Sequence, residues 1–246
     1  MKRILLALAA LLLTLAPAAA APLLLVPLKP NIYVVEDYFY ARENSLVYIG
    51  ADHVTVIGAT WSPQTADLVI AVIAKLTPLP ITEVVNTTHD LDRTGGNAAF
   101  RKIGARIIAT QLTADLLAKE GKDQIAETRK FAPDYPEVPI VLPDTIVGDD
   151  FTLQNGAIRG LYLGPSHKPD DIFVWLPNEK VLYAGCILKP QLGNMAGADL
   201  AEYPKTLHKL KAMNLPIEIV VAGHYSAVHK ADLIDKFLAL LEAYQP

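Results

Sequence analysis

Asp92, His167, Cys186 and His224 each follow a short apolar run in this 246-residue chain, and together they offer oxygen, nitrogen and sulfur donors. Their settings are Val84-Val-Asn-Thr-Thr-His89-Asp90-Leu-Asp92-Arg93-Thr-Gly95-Gly96-Asn97, Gly164-Pro-Ser-His167, Ala184-Gly-Cys186-Ile-Leu-Lys189 and Val221-Ala-Gly223-His224. Those donor types are the ones a metal site takes. Loops at strand ends hold such donors on a rigid scaffold, as a catalytic metal requires. Each residue also has an ordinary reading. Asp92 could bond its own backbone in a turn, and His167 and His224 could be plain loop histidines, as His53, His208 and His229 are read. The same strand-then-donor pattern, met four times in order, favours the site.

Cys186 is the only cysteine. On its own it reads as a small buried apolar residue. A lone thiol in an oxidising compartment needs burial or occupation, and its neighbours here favour a metal ligand.

The elements that must position these residues follow from pattern. Strands are expected at 32–35, 45–49, 54–57 and 81–86. Ser62 and Pro63 suit the N-cap and first position of a helix running to Lys75, whose apolar residues do not alternate. A polar, glycine-bearing loop covers 87–97. A short helix at 98–103, a strand at 106–109 and a charged helix at 113–130 come next, before the irregular stretch marked by Pro133, Pro136 and Pro139. The second half offers strands at 157–163, 172–175, 181–183 and 217–221, with helices at 201–213 and 231–243. Two runs of strands with helices nearby suggest two sheets face to face with helices outside; pattern alone supports a mixed α/β or α+β chain.

Lys2 and Arg3, the apolar run from Ile4 to Leu15 and the small residues up to Ala20 have the layout of a secretory signal peptide cleaved after Ala20. That apolar run is short for a membrane span, which takes about 20 residues. Residues 21–246 then form one domain, without linker or repeat. Removing Lys2 and Arg3 from the 22 basic residues leaves 20 against 26 acidic ones. Such a balance argues against nucleic acid, which needs a basic stripe, and against anionic membrane surfaces after signal cleavage. No coiled-coil seam is evident, so a monomer is expected.

The chain resembles the metallo-β-lactamases, and within them the mono-zinc, carbapenem-hydrolysing subclass. The likeness rests on Val-Val-Glu-Asp (34–37), Ile-Gly-Ala-Thr-Trp (57–61), Asp-Arg-Thr-Gly-Gly-Asn-Ala (92–98), Gly-Pro-Ser-His-Lys-Pro-Asp (164–170), Val-Leu-Tyr-Ala-Gly-Cys-Ile-Leu-Lys (181–189), Leu-Gly-Asn (192–194) and Ala-Gly-His (222–224). It implies an αββα sandwich of two mixed β-sheets and a periplasmic hydrolase of the β-lactam amide. It also implies one catalytic Zn²⁺ held by Asp92, Cys186 and His224, with any second site weak or absent. Lys189 would pair with the substrate carboxylate, Asn194 would polarise the lactam carbonyl, and His167 would lie beside the water and the opened carbonyl. Arg93 would support the loop, and Gly95 and Gly96 would let the backbone pass close to ligand. For Lys189 the alternative is a solvated surface lysine.

Two anionic ligands offset the charge of Zn²⁺, so water there is less acidified than on three histidines, where its pKa is about 7. A side-chain base is then needed. The subclass pattern has Asn then His where this chain has Thr88 and Asp90, with His89 between them. Three readings stay open: Asp90 is the base, its pKa raised by Asp92; the loop shifts to bring in His89; or activity is weakened or directed to another substrate while zinc still binds.

Overall fold

The computed structural model describes residues 23–244; the expected signal peptide and its cleavage point lie outside them. One sheet holds, in spatial order, β1 (Leu23–Lys29), β2 (Ile32–Asp37), β3 (Glu43–Ile49), β4 (Val54–Ile57), β5 (Ile81–Val85), β6 (Arg106–Thr110) and β7 (Thr145–Val147). The other is ordered β13 (Val228–Lys230), β12 (Ile219–Ala222), β11 (Val181–Gly185), β10 (Phe173–Leu176), β9 (Ile158–Leu161) and β8 (Asp150–Leu153). Both are mixed: β4 to β7 run parallel, as do β11 and β12, and the other neighbours are antiparallel.

Alternation along each strand makes the layers, because successive side chains point to opposite faces. Val34, Leu46, Ile57, Val85 and Ile108 meet Val174, Leu176, Tyr183 and Val221 between the sheets. On the outer face of the first sheet, Val56, Val84 and Ile107 pack against Ala66, Val69 and Ile73 of α1 (Pro63–Leu76) and Phe100 of α3 (Asn97–Lys102). On the outer face of the second, Trp175, Leu182 and Val220 meet Leu207 and Leu210 of α5 (Tyr203–Ala212) and Phe237 and Leu238 of α6 (Leu233–Ala243). The result is the expected αββα sandwich. Each fully buried large aliphatic or aromatic chain contributes roughly 1.5–3 kcal/mol of transfer free energy.

Several sequence expectations are refined. Ser62 caps α1 and forms a capping box with Thr65, but the buried stripe is Ala66–Val69–Ile73, with Leu68 exposed. The 87–97 loop contains a helical turn, α2 (Leu91–Thr94), so Asp92 stands on a helix where a turn was expected. The charged helix is α4 (Gln111–Arg129). Strands β1, β7, β8 and β13 were not anticipated; the last three have only three or four residues, too few for a period-2 pattern to register. His208 lies in α5 and His229 in β13, and neither is a loop residue. Among the described residues no helix is long and apolar enough to cross a membrane.

Candidate metal centre

The C-terminal ends of β5, β11 and β12 deliver their loops to one edge of the sandwich. Asp92, Cys186 and His224 meet there, with one ligand atom of each within 4.8 Å of the others. Asp92 Oδ2 is 3.1 Å from His224 Nε2, and Cys186 Sγ is 3.6 Å from each of those atoms. Zinc with bonds of about 2.3 Å to sulfur and about 2.0 Å to nitrogen or oxygen has tetrahedral edges of about 3.5 Å (S to N or O) and about 3.3 Å (N to O). The three donors fit that ion in type and in spacing.

Their surroundings point the same way. His224 Nδ1 is 2.8 Å from the Arg42 carbonyl; a carbonyl only accepts, so Nδ1 donates there and Nε2 is the nitrogen that faces Asp92 and Cys186 and would bind a metal. Burial works to raise the Asp92 pKa, but Arg93 and then His224 outweigh it and hold the carboxylate below its ordinary range. Burial, then Asp92, pushes the Cys186 thiol well above its ordinary value. A cation among the three donors is what would turn that thiol into thiolate.

Arg93 locks this corner. The side chain is fully buried and ion-pairs with Glu43 at the start of β3. Nη2 reaches Asp92 Oδ2 at 3.2 Å, the Gly223 carbonyl at 2.9 Å and Cys186 Sγ at 3.6 Å. A Cβ on Gly223 would lie 2.4 Å from that same nitrogen and 2.5 Å from the Gly185 carbonyl of the backbone, so the turn before His224 has to be glycine.

Gly95 and Gly96 have another duty than the one expected. Both have negative φ, and added Cβ atoms would meet the Trp61 carbonyl at 1.9 Å and the Ala59 carbonyl at 2.0 Å. They allow α2 and α3 to close on the loop after β4; the close approach is to backbone, where ligand was expected.

His89 does not join the three donors. Its backbone N–H and Nδ1 bond Asp170 at 2.7 Å each, and Nε2 lies 3.5 Å from Glu120 of α4. Thr88 also donates to Asp170, at 3.1 Å. Asp90 Oδ1 lies 3.2 Å from Lys168 Nζ. Its pKa is raised first by burial and only secondarily by Asp92, against the pull of Lys168; the sequence reading had given Asp92 the leading part.

His167 Nε2 is 2.9 Å from the Asn194 carbonyl, so that nitrogen donates. Nδ1 is buried without a hydrogen-bond partner. Burial, then Lys189, lowers the His167 pKa to about 3. Lys189 is 3% exposed, which removes the solvated-surface reading, and among the described residues no carboxylate pairs with it. Asn194 is exposed, with Oδ1 accepting from Ala196 N–H at 2.9 Å. Sequence reasoning missed Glu43, Lys168, Asp170 and Asp171. Glu43, Lys168 and Asp170 meet site residues across long sequence separations, which no local spacing marks, and Asp171 braces the Ser166–Lys168 turn from within.

Comparison with known proteins agrees with this geometry. The description of the metallo-beta-lactamase superfamily matches residues 41–224. Metallo-beta-lactamase IND-1 of Chryseobacterium indologenes is 28% identical over 207 residues, covering 80% of each chain. Metallo-beta-lactamase type 2 of Bacillus sp. (strain 170) is 26% identical over 206 residues, covering 80% of this chain and 74% of that one. In fold, the crystal structure of DIM-1 metallo-beta-lactamase matches with a TM-score of 0.78 at 23% identity, over 90% of this chain and 98% of that one.

Two outcomes follow. Gly96→Ala should cost about 3 kcal/mol in urea unfolding, because the clash is with backbone, whereas Gly148→Ala, with nothing within 4 Å of the new Cβ, should change little; equal shifts would contradict this packing. For His167, the folded pKa of about 3 lies below the unfolded value of about 6.5. The unfolded chain therefore takes the proton first, and the stability this histidine contributes is lost as pH falls from about 6.5 towards 3. Urea midpoints of the native protein and His167→Asn should converge as pH is lowered through that window, and a constant gap would contradict the assignment.

Proposed function

This chain belongs to the metallo-beta-lactamase superfamily, and we propose that it is a periplasmic, zinc-dependent β-lactamase that preferentially opens carbapenems with one metal ion, in a single domain of residues 21–246. The observation that carries the reading is the convergence of Asp92, Cys186 and His224 at spacings that suit tetrahedral zinc. The names of the two sequence relatives supply the substrate class. The use of one metal is supported by Thr88, a poor ligand whose hydroxyl is already given to Asp170, and the carbapenem preference by the motifs set out above.

Asp92, Cys186 and His224 would hold the zinc, which when bound would supply Lewis-acid stabilisation of negative charge on the lactam nitrogen. The remaining work falls to the protein. Lys189, buried and without a carboxylate partner among the described residues, binds the substrate carboxylate and fixes the ring in place. Asn194 Nδ2 donates to the lactam carbonyl and stabilises the oxyanion as water adds. Asp90 accepts the proton of the attacking water; burial raises its pKa, bringing a carboxylate closer to the range a general base needs. His167 stays neutral, with Nε2–H committed to the Asn194 carbonyl. The Asn194 carbonyl therefore couples the histidine to the loop that carries the substrate amide.

Imipenem hydrolysis by the purified protein, with zinc measured on the same sample, tests the reading. Turnover with about one zinc per chain is expected, abolished by chelation and by Cys186→Ala, which takes away one of the three protein ligands a catalytic zinc needs. Zinc-independent turnover, or none on any β-lactam, would overturn it. Asp90→Asn should lower kcat by about 100- to 10,000-fold with zinc retained; unchanged kcat would exclude Asp90 as base.

A further inference from the structure

We propose that Lys168 is a positioning residue for this reaction, pinning one carboxylate oxygen of Asp90 so that the other is presented to the attacking water. The inference rests on the reading of Asp90 as base. Lys168 Nζ lies 3.2 Å from Asp90 Oδ1, the nearer carboxylate oxygen, and among the described residues no hydrogen bond reaches Oδ2.

The backbone on both sides of this pair is fixed. The Lys168 N–H donates to Asp171 Oδ2 at 2.7 Å, its carbonyl accepts from Ser166 N–H at 3.0 Å, and Ser166 Oγ bonds the same Asp171 oxygen at 2.9 Å. The Asp90 carbonyl accepts from Thr94 Oγ1 at 3.0 Å and Arg93 N–H at 2.9 Å. What stays free to turn is the Asp90 carboxylate. The nearest other cationic group is His89, 3.9 Å away and already held by Asp170. The lysine is confined as well: a Cβ on Gly197 would lie 3.6 Å from Nζ, so the loop bearing Asn194 passes beside the ammonium. Lys168 thus sits between the base and the substrate loop. Fixing a reacting group by its neighbours is worth a large part of a rate, since a displacement of about 1 Å can cost about 100-fold.

Lys168→Met and Lys168→Arg, each alone and with Asp90→Asn, test this on imipenem, with zinc content and urea midpoints measured in parallel. Lys168→Met should lower kcat by about 10- to 100-fold with KM within about twofold. Arginine should restore most of the loss, and in the Asp90→Asn background the methionine should cost nothing more, with zinc per chain unchanged throughout. A rise in KM at constant kcat, or an equal loss in the Asp90→Asn background, would overturn the proposal. If Asp90→Asn lowers kcat as expected and Lys168→Met leaves kcat within about twofold, this inference alone fails. If Asp90→Asn keeps its turnover, the reading of the base fails and takes this one with it.

Discussion

The Arg93 guanidinium is the contact through which the two sheets and the candidate metal centre hold one another. It is fully buried, so its charge must be met in place. Glu43 comes from the first sheet, the Gly223 carbonyl from the end of β12 in the second, and Asp92 and Cys186 from the site itself. Burial disfavours the charged guanidinium, yet Asp92 and the groups around it outweigh that and keep it protonated. Breaking such a pair from one side typically costs about 3–5 kcal/mol, because the other charge is stranded. The backbone repeats the tie: Asn44 N–H donates to the Gly223 carbonyl at 2.8 Å, and Tyr183 Oη donates to the Asn44 carbonyl at 2.9 Å.

This seam explains how donors from three distant segments reach a common point. His224 is oriented by the Arg42 carbonyl, one residue before Glu43, so the segment that neutralises the arginine also sets the imidazole. The loop carrying Asp90 and Asp92 is held from behind by a reciprocal pair of amides, Asn86 and Asn97, and from the side by Asp170 through Thr88 and His89. Because that loop is tied down at these points, the backbone at position 90 is fixed, and the contact left to its carboxylate is the Lys168 ammonium.

Much of this was legible in the residues. Strands 54–57 and 81–86 announced themselves by β-branched runs, α1 by its Ser-Pro start, and four donors by their recurrence after apolar runs. The Asp92, Cys186 and His224 cluster was named before any geometry, with the family resemblance choosing these three from the four donors. What escaped was non-local. Glu43 lies 50 residues from Arg93, and Asp170 lies 81 from His89; a buried carboxylate with a distant partner looks like any acidic residue in a string of letters. Gly95 and Gly96 were visible as glycines, but which neighbour demanded them depended on where the Ala59–Trp61 loop would fold. The Lys168–Asp90 pair belongs to the same class, since two loops must be docked before the charges meet.

X-ray absorption at the zinc K edge of the zinc-loaded protein tests the central claim most directly. One sulfur at about 2.3 Å and the remaining ligands as nitrogen or oxygen at about 2.0 Å is the expected shell, with the sulfur lost in Cys186→Ser. A shell of nitrogen and oxygen alone in the native protein would contradict the assignment of Asp92, Cys186 and His224 as the metal centre.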